Sequence, residues 1–219
     1  AQLVDRMMAA DSRVDAWKLR TGKLTQESEF AQIRDSMAKL ANAPIFIDDR
    51  AANNIINMRS AARRIKSEKG LGLIVVDYLQ LMAPTQSRNS DNMVQQVTEI
   101  SRSLKHLAKE LDVPVLALSQ LSRAVEQRGG KPRLSDLRDS GSIEQDADVV
   151  MFIHREDKMN RVDDSQKTNI AEILIEKHRN GPTGMCQLFF DEKKATYLNL
   201  EKAEFGDFDS SSSGGMGGF

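Results

Sequence analysis

Apolar residues recur at intervals of three and four along several stretches of the chain, which is the spacing of one face of a helix. Polar and charged residues fill the positions between them. Gly70 and Gly72 end one of these stretches, and Asn53 or Asn54 is suited to cap its start. The pattern predicts amphipathic helices over residues 2–20, 26–40, 55–65 and 94–111.

Short apolar runs lie between the helical stretches and predict buried strands. One run closes on Asp77, another closes on Ser119 and Gln120, and the last two flank the turn Asn180-Gly181-Pro182. The predicted strands are 45–47, 73–76, 115–118, 149–153, 170–175 and 185–190. Alternation of strands and helices predicts an α/β fold, a parallel sheet flanked by helices with an antiparallel hairpin at one edge.

Composition narrows the functional classes. The 219 residues are 40% hydrophobic and 29% charged, which is typical of a globular protein, and no apolar run is long enough to predict a membrane span. The net charge is −1, so any contact with DNA must be local. The single cysteine, Cys186, excludes an internal disulfide and fits a reducing compartment such as the cytoplasm. Residues 204–219, rich in Gly, Ser and acidic residues, predict a flexible tail.

Two polar residues follow predicted central strands. Asp77 lies at the carboxyl end of its strand, where open α/β sheets bind ligands, and its carboxylate suits Mg²⁺ held through water. Gln120 ends the next apolar strand, and its amide can both donate and accept hydrogen bonds to a γ-phosphate or an attacking water. The alternatives are a loop-capping Asp and an ordinary polar strand end.

Two further segments carry candidate anion-binding groups. Ser140-Gly141-Ser142 exposes backbone N–H groups at a predicted helix start, with Arg138 beside it. Lys177 and Arg179 lie two residues apart on a strand, so they share a face and are suited to reach a neighbouring subunit's phosphates. The alternatives are a capped helix held by internal salt bridges and a basic hairpin in solvent.

These segments, taken in order, resemble the C-terminal RecA-like motor domain of bacterial replicative DNA helicases of the DnaB type. The resemblance covers about residues 1–200, with residues 1–203 as the motor domain, and Ser140-Gly-Ser-Ile-Glu-Gln-Asp-Ala-Asp148 is its most specific segment. It implies a homo-hexameric ring that hydrolyses ATP with Mg²⁺ at subunit interfaces and unwinds duplex DNA by moving 5′-to-3′ along single-stranded DNA. It also implies a cytoplasmic protein at replication forks, with primase and a helicase loader as partners.

The resemblance assigns roles residue by residue. Asp77 would be the Walker B aspartate that holds Mg²⁺, and Gln120 the γ-phosphate sensor. Lys177 and Arg179 would reach the neighbour's triphosphate. The segment containing Arg138, Asp139 and Gly141 would contact the DNA backbone, with Asp139 acting through its N–H. His178 stands where the family usually has Gln.

One element of the family pattern is absent from this sequence. The phosphate-loop pattern Gly-x-x-x-x-Gly-Lys-Ser/Thr occurs nowhere in the 219 residues. We therefore expect an N-terminally truncated motor domain, a C-terminal fragment that alone hydrolyses ATP poorly or not at all. The alternatives are a non-catalytic module for single-stranded DNA binding or subunit association, and another RecA-like ATPase.

Overall fold

The structure, a computed structural model, describes residues 2–50, 53–83, 93–137, 141–159 and 167–200. Within these ranges the α-helices are α1 (Gln2–Ser12), α2 (Ala16–Thr21), α3 (Glu27–Asn42), α4 (Ile55–Lys69), α5 (Met93–Leu111), α6 (Ala124–Arg128), α7 (Gly141–Asp146) and α8 (Glu156–Met159). The strands are β1 (Ile74–Val76), β2 (Val115–Ala117), β3 (Val149–His154), β4 (Ile170–His178), β5 (Gly184–Asp191) and β6 (Thr196–Asn199).

The predicted helices are present, with one difference near the start of the chain. The stretch predicted as one helix is divided into α1 and α2, because Arg13 adopts a left-handed backbone with φ of 61°. Asp15 then caps α2, its carboxylate accepting a hydrogen bond from the Trp17 N–H at 2.7 Å. Asn54 caps α4 in the same way, accepting from the Asn57 N–H at 2.9 Å.

The predicted parallel pair is present: β1 and β2 run side by side, with Val75 opposite Leu116. The other four strands are ordered β3-β4-β5-β6, and the described ladders β3–β4 and β5–β6 are antiparallel. Residues 149–153 therefore form a strand as predicted. Its hydrogen-bonded neighbour among the described residues is antiparallel β4, whereas the chain order had placed it in the parallel sheet.

The strand predicted at residues 45–47 is wrong. Ile45, Phe46 and Ile47 have no regular secondary structure, and each side chain is about half exposed, at 50 to 55%. No ladder among the described residues pairs with this segment, so its apolar composition alone does not make it a strand.

The described residues divide into two compact units, each considered separately here. The terminal unit comprises residues 2–42, 168–171 and 187–200, and the central unit comprises the described residues of 43–167 and 172–186. Residues 204–219 lie outside the described residues. The prediction of one domain over 1–203 stays a prediction.

The core of the central unit lies on one side of its strands. Helix α5 contributes a buried apolar stripe, and β1 and β3 contribute Val76, Val150 and Phe152 to the same cluster. The α5 residues in this cluster are Val97, Ile100, Leu104, Leu107 and Leu111. Their spacing is that of one helix face, which is why the sequence pattern found this helix correctly.

The opposite face of the same strands is exposed. Val75 is 57% exposed and its register partner Leu116 is 42% exposed. Leu73 and Leu118, two residues away on the same face, are also exposed. In the other sheet, Val149, Met151 and Ile153 on β3 are exposed as well. We call Leu73, Val75, Leu116 and Leu118 of the parallel pair the open sheet face. A parallel sheet is ordinarily covered on both faces, so this apolar surface is unusual for the fold.

An ion pair between exposed Arg128 and buried Asp136 fixes the loop after β2. The Asp136 carboxylate accepts hydrogen bonds from both terminal nitrogens of Arg128, at 2.9 and 2.8 Å, and from the Arg133 N–H at 2.8 Å. The Arg128 guanidinium, as the main cause, holds the pKa of Asp136 below its usual range.

None of the described helices is long and apolar enough to cross a membrane.

We predict that Asp136→Asn lowers the melting temperature at pH 7 by about 5 °C, because the pair and its loop anchor are lost. The folded-state pKa of Asp136 is lowered, so its stabilisation is present above pH about 4 and disappears as the pH falls through that pKa. Thermal unfolding from pH 3 to 7 measures this. Asp112→Asn, at an exposed position, is the matched control; a wild-type-to-variant difference that does not shrink on acidification would contradict the assignment.

Candidate functional site

Two candidate residues lie at the same edge of the parallel pair. Asp77 follows β1 directly, and Gln120 lies just beyond β2; both side chains are exposed. Two backbone hydrogen bonds join the residues that follow the two strands. The Leu118 N–H donates to the Val76 oxygen and the Leu79 N–H donates to the Leu118 oxygen, each at 2.9 Å. The structure thus brings Asp77 and Gln120 to one edge, as the sequence predicts for parallel neighbours.

The surroundings of Asp77 fit a magnesium ion held mainly by water and phosphate. Among the described residues, no hydrogen bond or ion pair occupies its carboxylate, and no group of three or more metal-ligating side chains is present. Mg²⁺ in nucleotide sites keeps several waters and takes one or two carboxylates plus phosphate oxygens. A single free carboxylate at a strand end is compatible with such an ion.

Gln80 is a residue that the sequence reasoning missed. Its side-chain oxygen accepts a hydrogen bond from the Gln120 N–H at 3.3 Å, and its side-chain nitrogen donates to the Ser119 hydroxyl at 3.2 Å. The amide therefore bridges the exits of both strands and fixes the backbone at Gln120. The one signal in the sequence is a polar residue set between Leu79 and Leu81.

Lys177 and Arg179 meet at the carboxyl end of α7. Lys177 Nζ donates to the backbone carbonyl oxygen of Glu144 and, at 3.4 Å, to that of Gln145. Arg179 Nη2 donates to the same Gln145 oxygen at 3.0 Å. The two cations share a face, as their spacing predicts, and that face is directed at the end of a helix.

Asp148 is a second partner of Arg179. Arg179 Nε lies 3.2 Å from an Asp148 oxygen, and Lys105 of α5 donates to the other oxygen of the same carboxylate. The Lys105 hydrogen bond is the main reason that the pKa of Asp148 lies below its usual range, and the charges of Arg179 and Lys177 lower it further.

His178 points elsewhere. Its ring lies against Gly181, where an added Cβ would come within 2.0 Å of the imidazole Nδ1. Glycine at 181 therefore leaves room for the ring at the turn between β4 and β5.

The candidate DNA segment is described only in part. Arg138 and Asp139 lie outside the described residues, whereas Gly141 is the exposed first residue of α7. Two hydrogen bonds attach α7 to α5, one near each end of α7. The hydroxyl of Thr98 on α5 lies 2.8 Å from that of Ser142, and the hydroxyl of Ser101 donates to the Asp146 carboxylate at 2.8 Å. The helix start predicted at Ser140-Gly141-Ser142 is therefore present at Gly141.

Comparison with known sequences gives a consistent family. The family model described as DnaB-like helicase C terminal domain matches residues 1–199. Replicative DNA helicase DnaB of Geobacillus stearothermophilus is 52% identical over 202 residues, which cover 92% of this chain and 44% of that protein. Replicative DNA helicase DnaC of Bacillus subtilis is 48% identical over 202 residues, with the same shares. The chain spans less than half the length of these curated relatives.

Solved structures agree with the sequence comparison. A DnaB-like replicative helicase, described with its interactions with primase, has a TM-score of 0.83 and 36% identity, covering 90% of this chain and 47% of that chain. A second structure, described as an ATPase domain, has a TM-score of 0.81 and 37% identity, covering 90% and 69%. These likenesses confirm the predicted RecA-like α/β fold. Because the matched proteins include replicative helicases, they argue against the alternative of a different RecA-like ATPase.

We predict that Gln80→Ala speeds amide hydrogen exchange at Gln120 about 2- to 10-fold, because the acceptor of its N–H is lost. Gln80→Glu is the matched control, since a carboxylate keeps an acceptor oxygen, and it should retain most of the protection. Exchange followed residue by residue by NMR measures both. Unchanged exchange at Gln120 in Gln80→Ala would refute the bridging role.

Proposed function

Because the chain belongs to the DnaB-like helicase C-terminal domain family, we propose that it forms part of the motor of an ATP-dependent replicative DNA helicase. In this proposal the motor is completed by a polypeptide segment outside these 219 residues that carries a phosphate loop. Assembled subunits form a homo-hexameric ring that moves 5′-to-3′ along single-stranded DNA and unwinds the duplex. The ring works in the cytoplasm at replication forks, with primase and a helicase loader as partners.

The open sheet face is the observation that carries this proposal. Its residues are apolar, exposed and contributed by the parallel pair, whose other face buries Val76 and partly buries Val115 in the core cluster. An exposed apolar surface of this kind marks a surface that another segment covers. The missing phosphate-loop pattern supports the same conclusion, because backbone amides and a lysine are the main cradle for nucleotide phosphates.

The residues at the strand ends act on the nucleotide. Asp77 would hold Mg²⁺ through water, and the bound Mg²⁺ would polarise the phosphoanhydride bond of ATP and neutralise charge on its phosphates. Gln120 hydrogen-bonds the γ-phosphate or the attacking water, and Gln80 keeps its backbone in place. Lys177 and Arg179 of one subunit reach the triphosphate of its neighbour, where they stabilise the charge of the transition state.

The segment before α7 contacts the DNA. Arg138 contributes a cation to the phosphate backbone, while Asp139 and Gly141 contribute backbone N–H groups. Such contacts fix the position of the strand without reading its sequence, which suits a protein that moves along DNA.

The test is ATP hydrolysis by the 219-residue chain, alone and mixed with the portion of the Geobacillus relative that precedes the matched region. We predict hydrolysis only in the mixture, stimulated by single-stranded DNA. Leu116→Lys should reduce the mixed rate at least about tenfold, because a lysine placed on the open sheet face must be desolvated when that face is covered.

Phe30→Lys is the matched control, since Phe30 is 55% exposed on α3 of the terminal unit and lies outside the open sheet face. Mixed with the same preceding segment, the Phe30→Lys chain should hydrolyse ATP at the rate of the unaltered chain. Hydrolysis by the unmixed chain, or a Leu116→Lys mixture as active as the control, would contradict the proposal. DNA binding without hydrolysis in the mixture would favour the alternative of a non-catalytic binding module.

A further inference from the structure

The carboxyl end of α7 is held by side chains from elsewhere in the central unit. The last carbonyl oxygens of a helix have no partner within the helix and carry partial negative charge, so cations placed there are favourable. Lys177 and Arg179 fill this position on the oxygens of Glu144 and Gln145. Asp148, just beyond the helix, adds a full negative charge beside Arg179.

Backbone geometry fixes this arrangement. The backbone N–H of Arg179 donates to the backbone carbonyl oxygen of Asp148 at 2.8 Å. In the ladder between β3 and β4, Val150 lies opposite Lys177. The two cations are therefore next to the helix end whatever their side chains do. Their side-chain contacts decide where the charged groups point.

The Arg179 contact can be displaced. The side chains of Arg179 and Asp148 are 50% and 55% exposed, and exposed ion pairs are weak. Lys105 also occupies the Asp148 carboxylate, which divides its charge between two cations. A phosphate offers stronger, charge-assisted and bidentate hydrogen bonds to a guanidinium than a carbonyl oxygen does.

We infer that the end of α7, together with Asp148, is a dock that holds Lys177 and Arg179 until a phosphate of the neighbouring subunit's nucleotide competes for them. The inference rests on the proposed role of these cations between subunits. Asp148 is a positioning residue: it does not touch the nucleotide, and it sets where Arg179 lies before the nucleotide arrives. The same helix begins at Gly141, in the proposed DNA segment, so the dock ties that segment to the two cations.

The test uses the full 219-residue chain and inorganic tripolyphosphate as the probe, followed by the NMR signal of the Arg179 Nε–H. Asp148→Asn weakens the dock, so tripolyphosphate should shift this signal with an apparent Kd about threefold lower than in the unaltered chain. The Arg179 Nε–H should also exchange faster with water in the variant when no tripolyphosphate is present.

Asp146→Asn is the matched control. It removes a carboxylate from the same helix end, but the contact of that carboxylate is with the Ser101 hydroxyl. It should change the Kd much less than Asp148→Asn. Equal tightening in both variants, no tightening in Asp148→Asn, or no shift of the Arg179 signal by tripolyphosphate would each overturn the dock.

A separate experiment tests the proposed function itself. In the mixture with the preceding segment of the relative, Arg179→Ala should abolish ATP hydrolysis and leave nucleotide binding unchanged. Normal hydrolysis by that mixture would remove the role of Arg179 between subunits, whereas the tripolyphosphate titration judges the dock without any turnover.

Discussion

A parallel sheet needs a covered surface on each side, because its strands are apolar in both directions. Among the described residues of the central unit, the parallel pair is covered on one side, where Val76 packs in the same cluster as α5, while Val75 and Leu116 are exposed. The chain matches the motor family over almost all its length, yet the phosphate-loop pattern does not occur in it. The proposed further segment would bring both a cover for the strands and a cradle for the nucleotide.

The candidate residues lie in two places, at one end of the parallel pair and at the end of β4 in the other sheet. At one edge, Gln80 connects the two strand exits, so the backbone that carries Gln120 is fixed before any nucleotide binds. Elsewhere in the same unit, Lys177 and Arg179 close on the end of α7. A neutral amide in the first place, and carbonyl oxygens with the Asp148 carboxylate in the second, position residues whose proposed task is to meet phosphate. Such contacts are weak enough to be exchanged, which suits a motor that must change its contacts in every cycle.

Sequence patterns predicted the elements that depend on local periodicity. The α5 helix, the parallel pair β1–β2 and the shared face of Lys177 and Arg179 follow from spacing alone. The strand at 45–47 was wrong because an apolar run becomes a strand only when another strand pairs with it, and spacing does not reveal partners. Gln80 was missed, and the contact of Asp148 with Arg179 was not predicted, for a related reason: both depend on contacts with residues distant in sequence. The family resemblance supplied the roles of Asp77 and Gln120, which their local segments left open.

We expect the open sheet face to be covered in the working motor. Hydrogen–deuterium exchange of the chain, alone and mixed with the preceding segment of a relative, measures this cover without relying on turnover. New protection should then be seen at residues 73–76 and 115–118 in the mixture, with none on the exposed side of α3, because covering a face slows local opening of its strands. Equal exchange at both strands with and without the segment would show that the face stays open and that the motor is not completed there.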